Sequence, residues 1–81
     1  MPRKKPRLAV AAQRVADARR IVAEQKDLIA KLTAAGGSTL DAERALASYL
    51  SALRHLEHHE RMLREEERAK RRETKKRLPD T

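Results

Sequence analysis

The sequence has no cysteine, tryptophan or phenylalanine, and one tyrosine among its 81 residues. Without cysteine there is no disulfide, no thiol nucleophile and no cysteine-ligated zinc site, and the composition suits the reducing cytoplasm. Because Tyr49 is the single aromatic residue, a core can contain only aliphatic side chains and leaves little room for a large ligand. We therefore expect a small cytoplasmic domain with no small-molecule substrate and no cofactor.

Long hydrophobic runs are also missing. The apolar run that follows the basic start extends only from Leu8 to Ala12, whereas a signal peptide needs an apolar run of about 7–15 residues. A membrane-spanning helix needs roughly 20 apolar residues. We expect neither an export signal nor a membrane partner.

Charge is abundant, and its excess lies at the two ends. Charged residues make up 40% of the chain and the net charge is +8. Residues 1–7 carry four basic and no acidic side chains, residues 8–60 carry seven of each sign, and residues 61–81 carry nine basic and five acidic ones. A fold that brings the ends together would therefore concentrate positive charge at one pole.

The glycines Gly36 and Gly37 separate two long runs of helix-forming residues. Glycine past the end of a helix can adopt the left-handed conformation that caps the last carbonyls. Ser38 or Thr39 can then cap a second helix, with Asp41 completing a capping box. So short a turn makes the helices antiparallel neighbours, although the chain could also form one long bent helix.

The predicted fold is an all-α, antiparallel two-helix hairpin. Its parts are a disordered basic arm at 1–7, a helix at 8–35, a turn at 36–38, a helix at 39–77 and a disordered tail at 78–81. Apolar residues recur at steps of three and four along both helices, as in a coiled coil. They stop at Leu63, so we expect a charged overhang from about residue 64, with helical ion pairs such as Glu60 with Arg64 and Glu67 with Arg71.

Both apolar stripes are wider than one neighbouring helix needs. If the turn centres near residue 37, facing residues have numbers that sum to about 74, and the two stripes meet in register. Domains below about 70–80 residues rarely gain enough stability from one core. We therefore expect the hairpin either to form a homodimeric four-helix bundle or to dock on the helices of a partner. The predicted interface residues are Ile21, Val22, Leu28, Leu46, Tyr49, Leu50 and Leu53.

The same register places Gln25 opposite Tyr49 in an otherwise aliphatic stripe. Tyr49 can lie across the stripe with its hydroxyl in water. Alternatively, the two polar groups form a layer that fixes the register or the oligomeric state. The sequence leaves both interpretations open.

The basic ends also have two interpretations. Interspersed glutamates are typical of a solvated charged helix, but one pole of positive charge would attract nucleic acid without sequence preference. The predicted polyanion-binding residues are Arg3, Lys4, Lys5, Arg7, Lys70, Arg71, Arg72, Lys75, Lys76 and Arg77.

The histidines at 55, 58 and 59 are the only cluster with the chemistry of a site. His55 and His59 share a helix face and could bind a metal weakly or between molecules, but a tight site needs three or four ligands and no neighbouring histidine or cysteine completes one. We expect solvated histidines, no metal site and, without a nucleophile beside a base, no enzyme.

The segment from Arg20 to Leu32, together with Gly37, Thr39, Ala42, Ala45 and Leu46, resembles short, uncharacterised helical-hairpin proteins of alphaproteobacteria. The resemblance covers about half of the chain and implies a hairpin fold and a bacterial source. It implies no activity.

Overall fold

Two antiparallel helices form the described part of the chain. The structure, a computed structural model, describes the backbone of residues 6–76 and the side chains of residues 6–73. Helix α1 spans Arg7–Ala34 and helix α2 spans Leu40–Lys76, with no strand within residues 6–76. The helices pack against each other, so the predicted all-α hairpin is confirmed. The tail predicted at 78–81 and the first five residues of the predicted arm lie outside the described residues.

Gly36 ends α1 as the sequence predicts. Its φ of 74° is the left-handed conformation that glycine adopts without a steric penalty. The Gly36 N–H donates to the Thr33 carbonyl at 3.0 Å, and the Gly37 N–H donates to the Leu32 carbonyl at 2.9 Å. Together these bonds form a Schellman motif, which satisfies carbonyls that the helix end leaves unpaired.

Thr39 is the N-cap of α2, because its carbonyl accepts the first helical bond from the Glu43 N–H at 2.8 Å. The Ser38 Oγ accepts from the Leu40 N–H at 3.5 Å, a long contact for a hydrogen bond. The capping box expected between Ser38 and Asp41 is therefore absent. Asp41 and Glu43 still lie in the first turn, where their negative charge complements the helix dipole.

Helix α1 begins at Arg7, a residue that the sequence analysis assigned to the disordered arm. The Pro6 carbonyl accepts a hydrogen bond from the Val10 N–H at 3.1 Å. Helical bonding can start directly after Pro6 because proline occupies a cap position, where no donor is required of it. The first turn of α1 contains no acidic residue, and Pro6 provides no side-chain cap.

The hydrophobic core is a narrow line between the helices. Its buried members are Ala11, Val15 and Val22 from α1 and Ala42 and Leu63 from α2. Larger aliphatic side chains flank this line and are only half-buried: Leu8, Ile29, Leu32, Leu46, Leu50, Leu53 and Leu56. Alanine at two of the five buried positions, Ala11 and Ala42, lets the two backbones approach closely there.

The pairing of the helices continues beyond residue 64. A cleft is lined by Pro6, by Leu8, Ala9 and Ala12 of α1, and by Arg64, Glu67, Arg68 and Arg71 of α2. Residues at the start of α1 thus share a cleft with α2 residues as far along as Arg71, beyond the residue near which the charged overhang is predicted to begin. The apolar stripe of α2 ends at Leu63, and the residues of α2 that line this cleft are all charged.

Candidate interaction surfaces

An apolar groove lies between the helices on one face of the hairpin. Its volume is about 270 Å³, and it is lined by Arg14, Asp17, Ala18 and Ile21 from α1 and by Tyr49, Ala52 and Leu56 from α2. Ile21 and Tyr49 remain 40% and 39% exposed. Large apolar side chains so placed are typical of a surface that binds a protein partner.

The spacing of the sequence accounts for this groove. Arg14, Ile21 and Leu28 are seven residues apart, so they follow one another along one side of α1. Tyr49 and Leu56 have the same spacing on α2, with Ala52 between them. The short side chains of Ala18 and Ala52 leave space between the larger ones, and Leu28, 45% exposed, extends the apolar surface toward the turn.

The predicted interface residues fall into three groups. Ile21, Leu28 and Tyr49 are exposed, and Leu46, Leu50 and Leu53 are half-buried. Val22 is 7% exposed and belongs to the core of the hairpin itself. It therefore holds α1 against α2 and has almost no surface to offer a second molecule.

Gln25 is not paired with Tyr49 as the register suggested. The Gln25 Nε2 donates to the backbone carbonyl of Ala42 at 2.9 Å, in a partly buried contact. The long side chain of Gln25 reaches toward the turn and satisfies its amide on α2, which facing positions alone do not reveal. Tyr49 instead lines the apolar groove and stays partly exposed.

Arg19 and Glu57 link the two helices outside the groove. The Arg19 Nη2 donates to the Glu57 Oε2 at 3.0 Å. The residue numbers sum to 76, close to the predicted register of about 74. The Arg19 side chain is 63% exposed, so the pair contributes more to register than to stability.

The predicted polyanion-binding residues are only partly described. Arg3, Lys4, Lys5 and Arg77 lie outside the described residues, and Lys75 and Lys76 belong to α2 but their side chains are not described. Arg7, Lys70, Arg71 and Arg72 are exposed. Among these, only Arg71 lines the cleft beside the start of α1.

Two arginines of that cleft were not among the predicted residues. Arg64 and Arg68 line it together with Arg71, and we call the cleft that contains these three residues the arginine cleft. The signal in the sequence is their spacing of four and three, which places them on one face of α2. Acidic neighbours obscure this signal, because they give the whole segment the pattern of a solvated charged helix.

The histidines His55, His58 and His59 are exposed. His59 lines a small cleft with Arg7, Val10, Ala11, Arg14 and Leu63, surroundings that offer no metal ligand. Within the described residues, no three histidine or acidic side chains come close enough together to hold a metal ion.

Neither helix carries an apolar segment long enough to cross a bilayer, within the part of the chain that the structure describes. No family model, curated protein or solved structure matches the chain.

Proposed function

We propose that this protein is a non-catalytic structural module that self-associates. The apolar groove and the exposed side chains of Ile21, Leu28 and Tyr49 would dock against the same surface of a second copy and form a four-helix bundle. The observation that carries the proposal is the exposure of Ile21 and Tyr49 in the apolar groove, together with the exposure of Leu28, which lies seven residues after Ile21 on α1.

The single-layer architecture supports a dimer. Each helix has only one neighbouring helix within the described residues, so Ile21, Leu28 and Tyr49 stay 40%, 45% and 39% exposed. A stable dimer removes about 800 Å² of accessible surface from each partner.

The chemistry of the groove favours a second copy as its occupant. Arg14 and Asp17 line it with opposite charges, and the Asp17 Oδ1 also accepts from the Gln13 Nε2 at 3.0 Å and lies 3.5 Å from the Arg20 Nη2. In a two-fold symmetric dimer the same patch meets itself, so Arg14 of one copy can pair with Asp17 of the other. A volume of about 270 Å³ holds one or two side chains, and drug-sized ligands usually need about 300–1,000 Å³.

Sedimentation equilibrium on the full chain tests the proposal. We expect a dimer for the native sequence at tens of micromolar and a monomer for Ile21→Lys, because the new ammonium group would have to be desolvated in the interface. Ala23→Lys is the matched control, since it adds the same charge two residues away at an exposed position that does not line the groove.

The control variant is expected to remain dimeric, and circular dichroism should show the same helix content in all three proteins. A native protein that is monomeric across this concentration range would overturn self-association. A dimer that Ile21→Lys leaves intact would show that the association does not use this groove.

A further inference from the structure

We propose that the arginine cleft binds the phosphodiester backbone of duplex DNA, without preference for sequence. The cleft shares no residue with the apolar groove. DNA binding by this cleft therefore does not depend on self-association, and its test uses different substitutions.

The three arginines converge on one space of about 470 Å³. Arg64 donates to the Glu60 carboxylate at 3.0 Å. Arg68 and Arg71 make no hydrogen bond or ion pair with any described side chain. Two guanidinium groups are thus available for a ligand, beside a third whose charge is partly compensated.

The electrostatics around the cleft favour an anion. Among the residues that the structure describes, Glu67 is the only acidic one that lines it, against three arginines. Pro6, Leu8 and Ala9 line the opposite wall, so the arginines gather beside the positive end of the α1 dipole, where cations are unfavourable. The arginine Cα atoms span about 10 Å along α2, close to the Debye length of about 8–10 Å, so their fields add. Negative charge in the cleft would relieve this repulsion.

The surroundings of the cleft indicate which kind of anion it binds. Residues 64–73 contain Ala69 as their one apolar residue, so this stretch of α2 has no hydrophobic face of its own to insert into a membrane. No aromatic side chain lines the cleft, which removes the stacking platform that single strands and free nucleotides use. Along one DNA strand a phosphate occurs about every 3.4 Å of helix axis, so a span of about 10 Å covers roughly three steps.

Fluorescence anisotropy with a labelled duplex of about 20 base pairs tests the inference at several salt concentrations. Each phosphate contact contributes about 0.9 to the slope of log affinity against log salt. We expect Arg68→Gln/Arg71→Gln to lower the magnitude of this slope by about 1.8 and to weaken binding at about 50 mM salt at least about tenfold.

The matched control is Arg54→Gln/Arg61→Gln. It removes the same two charges from exposed positions of α2 outside the cleft, and we expect it to keep the native slope. Equal effects of the two double variants would overturn the assignment of the cleft, because only total charge would then matter.

Two further results would overturn the inference. One is the absence of duplex binding by the native chain at about 50 mM salt, where phosphate contacts are strongest. The other is binding to phosphatidylserine vesicles but not to DNA, which would assign the basic end to a membrane surface. Circular dichroism of both double variants should match the native chain, because all four substituted side chains are exposed.

Discussion

At the scale of single residues, the turn depends on one backbone conformation. Gly36 is the only described residue with a positive φ, at 74°. Its neighbour Gly37 has no such requirement, and a Cβ placed on it would meet the Leu32 carbonyl oxygen at 3.6 Å and the Leu32 Cδ2 at 3.8 Å. These are ordinary van der Waals distances, so the two adjacent glycines have different roles.

We expect Gly36→Ala to destabilise the hairpin by about 1–2 kcal/mol, because an L-residue in the left-handed region brings its Cβ too close to the next carbonyl. Gly37→Ala is the matched control. It should be neutral or raise the free energy of unfolding by about 0.4–1 kcal/mol, since alanine restricts the unfolded chain. Urea denaturation followed by circular dichroism measures both, and equal costs would contradict this account of the turn.

At the scale of the helices, two buried side chains far apart on α2, those of Ala42 and Leu63, hold it against α1. Leu63 is 5% exposed and packs near the open end of the hairpin, where Ala11 lies on α1. Met62, the next residue along the chain, is 47% exposed. One step of about 100° around a helix thus separates a core position from a surface position.

Leu63→Ala should lower the free energy of unfolding by about 2–5 kcal/mol, because it removes buried methyl groups and leaves a cavity. Met62→Ala should change it by no more than about 0.5 kcal/mol, as is usual for surface substitutions. Thermal or urea unfolding of the two variants provides the comparison. A similar cost at both positions would mean that α2 is rotated relative to the structure described above.

At the scale of the whole molecule, two helices in one layer cannot enclose a large core. Within the described residues no large side chain is fully buried, and Ile21, Leu28 and Tyr49 face solvent. The structure alone shows a hairpin. The four-helix bundle is our proposal for how these side chains become covered.

If a second copy covers them, the midpoint of thermal unfolding should rise with protein concentration, because dimerisation stabilises only the folded state. Leu28→Ala should reduce that dependence, since Leu28 is 45% exposed in the hairpin and contributes little to it alone. Melting curves at about 5 µM and about 500 µM measure the effect. Midpoints that do not change with concentration would count against the bundle.

The sequence alone determined the hairpin. Gly36 specifies a left-handed residue, Asp41 and Glu43 mark a helix start, and the steps of three and four between apolar residues indicate which side of each helix faces the other. These signals are local, so they do not depend on the rest of the fold. The predicted helix ends at 8, 35 and 39 differ by one residue from those of the structure.

Only the tertiary structure decided what each position in the stripes does. Periodicity cannot separate Val22, which is buried, from Ile21, which is 40% exposed, because the distance and rotation between helices set the final burial. It also could not show that Gln25 reaches the Ala42 carbonyl, or that Arg64, Arg68 and Arg71 share a cleft with the start of α1. These contacts join residues distant in sequence through long, flexible side chains, whose direction depends on the neighbour that packing supplies.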